Sequence, residues 1–157
     1  DIPMIYVSHS PDEVARLADH LVLLDHGTVV ASSSLSETLA RLDLPGVFRD
    51  EAGVVIHATL LAHEPEDALS RLRFAGGDLY VNQRALPLGH VVRLRIAAQD
   101  ISVTLAPQRD TSILNVIPAT VVDFADTDHP ARVLVQLDAG GVALLARITR
   151  RSPRCAW

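Results

Sequence analysis

Apolar residues run almost unbroken from Ile2 to Val7, stop at His9, and give way to Ser10-Pro11-Asp12-Glu13. A run of that kind predicts a strand buried on both faces of a parallel sheet. Ser10 fits a helix N-cap, Pro11 the first helical position, and Glu13 stands where it can close a capping box. Val14, Leu17, Ala18 and Leu21 then follow at helical spacing, which predicts a helix from Pro11 to about Asp19 or His20. His9 therefore sits at a strand-to-helix junction, where α/β proteins place their ligands.

Two further apolar runs, Leu21 to Leu24 and Thr28 to Ala31, flank the turn Asp25-His26-Gly27 and predict a hairpin. Ser34-Leu35-Ser36-Glu37 offers a second capping box, with Leu35, Leu39 and Leu42 marking a short helix that Pro45-Gly46 ends. From about Gly53 the pattern turns to strands: Val54 to Leu61, Leu69 to Phe74, Leu79 to Asn82, Val91 to Ala98 and Ile101 to Leu105. Val91, Leu94 and Ile96 do not alternate strictly with Arg93 and Arg95, which leaves a bulge or a two-sided strand open there. Three more strands are expected from Thr111 to Val122, Ala131 to Leu137 and Val142 to Ile148, in meander order. Three strands do not close a small barrel, so a closing strand is missing from the expected set.

Composition narrows the function classes. The 157 residues are 48% hydrophobic but only 4% aromatic, so the core is aliphatic and base-stacking platforms are not expected. A net charge of -5 argues against a nucleic-acid surface. Every basic residue is arginine, and without a lysine there is neither a complete phosphate-binding loop nor a Schiff base. Cys155 is the single cysteine and forms no internal disulfide, which fits a reducing compartment. No apolar run approaches the roughly twenty residues that span a bilayer. No metal site is expected, because His57 and His63, six apart on an extended segment, are too distant to share an ion. His20 and His26 read as solvated residues at a helix end and a turn.

Two stretches carry a resemblance. Val7-Ser8-His9-Ser10-Pro11-Asp12-Glu13-Val14, then Ala18-Asp19-His20, then Val22-Leu23-Leu24-Asp25-His26-Gly27 resembles the end of an ABC-transporter ATPase domain. Arg95-Ile96-Ala97-Ala98-Gln99-Asp100, Ile101 to Leu105 and Thr111-Ser112-Ile113-Leu114-Asn115-Val116-Ile117-Pro118-Ala119 resemble the molybdate-binding Mop domain that follows the ATPase in molybdate-import ATP-binding subunits. The fold this implies is an α/β remnant, the end of the ABC ATPase domain, followed by all-β, OB-like barrel domains of which the last is incomplete. By this likeness, residues 1–32 close the ATPase domain and 33–52 form a helical linker. Residues 53–110 form a first β-subdomain and 111–157 a truncated Mop-like domain.

The resemblance also implies roles. His9 is the switch-loop histidine, catalytic and ATP-binding, contacting the γ-phosphate and helping to position the attacking water. That role is chemically reasonable, since phosphoryl transfer is catalysed mainly by positioning and charge stabilisation. Thr111, Ser112 and Asn115 are the oxyanion-binding positions; hydroxyls, an amide and backbone N–H groups can hold a tetrahedral dianion. The same residues can equally cap their own backbone. The implied cofactors are ATP and Mg2+, with molybdate or tungstate as regulatory ligand. The implied partners are a transmembrane permease, a second ATPase subunit in a homodimer and, indirectly, a periplasmic or extracellular binding protein, with no nucleic acid. The implied location is peripheral, on the cytoplasmic face of the bacterial inner membrane. The ATP-gripping loop, the signature motif and the catalytic carboxylate strand lie ahead of Asp1 in the family, so the 157-residue chain alone is expected not to hydrolyse ATP. A non-enzymatic molybdate- or tungstate-binding module is the other reading of the same residues.

Overall fold

A computed structural model of the chain describes residues 2–45, 47–106 and 110–152. Helix α1 (Pro11–Leu17) leads into the hairpin β1 (His20–Asp25) and β2 (Thr28–Ser34), then helices α2 (Leu35–Leu39) and α3 (Val47–Asp50). Strands β3 (Gly53–Glu64), β4 (Leu69–Phe74), β5 (Gly77–Asn82) and β6 (Val91–Ala97) follow, with a 3-10 turn at Ala98–Asp100. Strands β7 (Thr120–Asp126), β8 (Arg132–Ala139) and β9 (Val142–Thr149) complete the order. All three sheets are antiparallel: β1-β2, β5-β4-β3-β6 and β7-β8-β9. The expected mainly β architecture is present.

The hairpin turn shows how the local chemistry works. Asp25 pairs with Thr28, leaving His26 and Gly27 as a two-residue loop with φ of 47° and 80°. Two consecutive positive φ values match the right-handed twist of the strands they join. Ser34 then closes a full capping box with Glu37, as its sequence predicts.

The long strand β3 organises the second sheet. Its first half, Gly53 to Thr59, pairs with β6, and its second half, Thr59 to Glu64, pairs with β4. The β3–β6 register is unbroken, so β6 is two-sided rather than bulged. Val92, Leu94 and Ile96 pack on the core, and Arg93 and Arg95 alternate with them. The bulge lies instead between Leu60 and Ala62 of β3.

One aliphatic cluster joins the last two sheets: Val54, Ile56 and Leu60 of β3 and Leu72 and Phe74 of β4 meet Val133, Val135, Leu144 and Leu145 of β8 and β9. The sheet β7–β9 is not closed on itself, yet Val135, Ala139, Leu145 and Ala146 are fully buried because the neighbouring sheet covers them. A second cluster gathers Val14 and Ala15 of α1, Leu21 and Leu23 of β1, Leu35 and Leu39 of α2, Phe48 of α3 and Val55 of β3.

Helices α1, α2 and α3 have only seven, five and four residues, too few to be stable alone. Each has carbonyls near its C-terminus capped by a side chain from a β-sheet. Arg93 of β6 donates to the Arg16 and Ala18 carbonyls after α1, at 3.4 and 2.9 Å. Gln136 of β8 donates to Ala40 O after α2 at 3.0 Å. Arg147 of β9 donates to Arg49 O of α3 at 2.7 Å and also to Asp50 O. These contacts satisfy carbonyls that a helix end leaves open, and the cations complement the helix dipole.

Five expectations need correction. Helix α2 ends at Leu39 and leaves out Leu42, its last turn closed by Ala40 N–H on Ser36 O. Residues Ile2 to Val7 form no strand: no ladder partner lies beside them among the described residues, and Ile2, Ile5 and Val7 are more than 89% exposed. Helix α1 stops at Leu17, because Ala18 closes the last turn on Val14 O and the chain goes extended to feed Leu21 and Leu23 into the hairpin core. Ile101 to Leu105 is not a strand either, although Ile101 and Val103 do face the core. Finally, the strand expected from Thr111 begins only at Thr120, since Pro118 lacks a ladder donor and the preceding residues have no strand partner. The tail from 153 to 157, with Cys155, lies outside the described residues.

Candidate functional site

His9 is exposed, one residue ahead of the α1 N-cap. Its loop is shaped by a hydrogen-bonded hub around Glu13. Ser10 Oγ accepts from the Glu13 N–H at 3.4 Å, which is half of the expected capping box. The other half is rerouted. The Glu13 carboxylate accepts from Ser8 Oγ at 2.6 Å and from the Tyr6 hydroxyl at 2.9 Å, while Ser10 N–H donates to Ser8 Oγ at 3.0 Å. Ser8 thus relays the capping interaction, and both residues flanking His9 are fixed.

The hub has electrostatic consequences. The hydrogen bonds from Ser8 and then Tyr6 hold the Glu13 carboxyl below its ordinary pKa, and the nearby His9 adds a smaller push in the same direction. Accepting the Tyr6 hydroxyl raises the phenol, because ionising it would place two anions together.

Helix α1 is also held from the β-region. Arg95 pairs with Asp12 in its first turn at 3.1 Å, and Arg93 pairs with Asp19 just past its end. In the sequence, Arg95 stood out only as part of the stretch that carries the Mop resemblance, and neither arginine was assigned a contact with α1. The signal was present in their spacing, since residues two apart on a strand share a face.

The second group, Thr111, Ser112 and Asn115, lies beside the edge strand β5. Thr111 Oγ1 accepts from the Ile113 N–H at 3.1 Å, a local turn. The Asn115 amide reaches across to Tyr80: Oδ1 accepts from Tyr80 N–H at 2.7 Å, and Nδ2 donates to Tyr80 O at 2.9 Å. One side chain thereby replaces a pair of ladder hydrogen bonds on an edge that lacks a strand neighbour. Ile117 follows it into the core. Ser112 is exposed. In this arrangement Thr111 is turned on its own backbone and Asn115 on β5.

Residues 111–155 match the TOBE domain family. The whole chain is 54% identical over 152 residues to a molybdenum import ATP-binding protein, ModC, of Thiobacillus denitrificans, an alignment that covers 97% of this chain and 42% of that protein. ModC 1 of Azotobacter vinelandii is 53% identical over 152 residues, with the same coverage. ModC of Pseudomonas aeruginosa is 53% identical over 154 residues, covering 97% of this chain and 43% of that protein. The chain thus spans about two fifths of the length of these relatives. The alignments run through both the α1–hairpin region and the β-sheets, and over that continuous length the chain is similar to molybdenum import ATP-binding proteins.

Proposed function

We propose that this chain is part of the ATP-hydrolysing subunit of a molybdate or tungstate importer, with its β-region acting as an oxyanion-sensing regulator. The observation that carries the reading is the identity of 54% across 97% of the chain to a molybdenum import ATP-binding protein. His9 is the residue we assign to ATP. Its exposed position, framed by the fixed residues Ser8 and Ser10, suits a ring that donates to a terminal phosphate. ATP with Mg2+ supplies the transferable phosphoryl group when bound.

For the oxyanion, Thr111 and Ser112 offer hydroxyls, and Asn115 would have to exchange Tyr80 for the ligand. Regulation then requires the anion to bind with different affinity in two transport states; equal affinity would leave transport unchanged. A permease, a second ATPase subunit and a peripheral position on the cytoplasmic face of the inner membrane complete the proposal. Among the described residues no helix is long and apolar enough to cross a membrane.

Calorimetry with molybdate, tungstate and sulfate on the length-restored protein tests it. Binding of the first two, weakened by Ser112→Ala and Asn115→Ala, is expected together with ATP turnover lost in His9→Ala. Unchanged affinity in both variants would remove these residues from the site, and unchanged turnover would remove His9.

A further inference from the structure

Among the described residues strand β6 is an edge strand, bonded only to β3, and it presents Arg93 and Arg95 on the face opposite its core residues. These two guanidinium groups grip both ends of helix α1. Arg95 holds Asp12 in the first turn at 3.1 Å and donates to Glu51 O at 2.8 Å. Arg93 donates to Ala18 O at 2.9 Å and pairs with Asp19. Both arginine side chains are about three-quarters buried, at 26% and 25% exposure, so they are far more restrained than free surface cations. Between helix and strand an open cleft of about 430 Å³ remains, lined by Asp12, Ala15, Arg16, Arg93 and Arg95. The contact is thus polar and clamp-like along this side, while the apolar side of α1 packs on the hairpin cluster.

His9 stands two residues ahead of Pro11, the first residue of this helix, and Glu13 within the helix anchors the loop through Ser8. A path of ion pairs and hydrogen bonds therefore runs from β6 through Arg95 and Asp12 to α1, and from Glu13 to the residue next to His9. We propose that Arg93 and Arg95 are positioning residues for His9: strand β6 sets where α1 sits, and so couples the β-sheets to the histidine. Two attachments at opposite helix ends fix both translation and tilt, which one ion pair cannot do. The coupling itself follows from the contacts; the consequence for phosphoryl transfer rests on the function proposed above.

The experiment has one arm on each. In the 157-residue chain, NMR follows the His9 ring resonances and amide exchange at Val14 and Ala18. Arg93→Gln and Arg95→Gln should move the ring resonances and speed exchange of those two amides about tenfold, with β8 and β9 amides unchanged. Asp12→Arg should do the same and be rescued by adding Arg95→Asp. In the length-restored subunit the Arg variants should lower kcat about tenfold at unchanged KM for ATP, the pattern of a displaced group rather than lost substrate binding. Unmoved ring resonances and exchange in both Arg variants, or a charge swap that restores nothing, would overturn the clamp. If His9→Ala leaves turnover intact while the Arg variants still move the ring, the clamp stands and the role given to His9 falls.

Discussion

Asn115 illustrates how one amide can do the work of a strand. Its two hydrogen bonds to Tyr80 tie residues 111–117 to β5, and each such bond is worth about 1 kcal/mol net. Asn115→Ala should therefore lower stability by about 1–2 kcal/mol in urea denaturation. Asn115→Asp should cost more than Asn115→Ala, because a carboxylate oxygen would face the Tyr80 carbonyl. A loss of stability without loss of molybdate affinity would assign Asn115 to the fold alone. Glu13 gives the corresponding pH prediction. Its folded pKa lies below the unfolded value, so the hub stabilises the loop above the ordinary carboxylate pKa and that contribution is lost as pH falls through the folded value. Ser8→Ala should move the Glu13 carboxyl pKa upward in an NMR titration; an unmoved pKa would show that Ser8 is not the relay.

At the scale of elements, the two β-hairpin turns 75–77 and 139–141 dock against each other. A Cβ on Gly76 would meet Ala139 O at 2.7 Å, and one on Gly140 would meet Ala75 O at 2.7 Å. Gly140 has in addition a φ of +64°, so only a residue without a Cβ suits both its conformation and its neighbour. Gly140→Ala should cost at least about 1–2 kcal/mol from backbone conformation, with the contact adding to it. Gly141→Ala is the control: it shares the positive φ but has open space around it. Equal losses in the two variants would show that the turn-to-turn contact carries no stability. The short helices follow a related logic, since Arg93, Gln136 and Arg147 each supply a cap that is distant in sequence.

For the whole molecule, the shared aliphatic core makes the sheets β3–β6 and β7–β9 mutually dependent. Leu60 and Leu145 are almost fully buried on opposite sides of it. Leu60→Ala and Leu145→Ala should each cost about 2–5 kcal/mol, and each should lower the unfolding midpoint of both sheets together. Separate midpoints for the two sheets in hydrogen exchange would contradict a common core. The chain by itself should show no ATP turnover, measured as phosphate release; turnover at a rate that His9→Ala abolishes would refute this.

Most strands and the starts of α1 and α2 were legible in the sequence because alternation, capping residues and glycine turns are local signals, whereas α3 was not among the expected elements. Thus the hairpin around His26-Gly27, the Ser34–Glu37 box and the limits of β4 follow from residues within a few positions of each other. The resemblance carried by Val7 to Gly27 and Thr111 to Ala119 likewise pointed to the proteins that the chain is similar to. Tertiary structure decided the rest. Ile2 to Val7 has strand composition but no neighbour to bond, and Ile101 to Leu105 has an inward face but no ladder. The reach of Asn115 to Tyr80 and of Arg93 and Arg95 to α1 depends on segments 35 to 83 residues apart meeting in space. A side chain's type states what it can bond; only the packed chain determines which partner arrives.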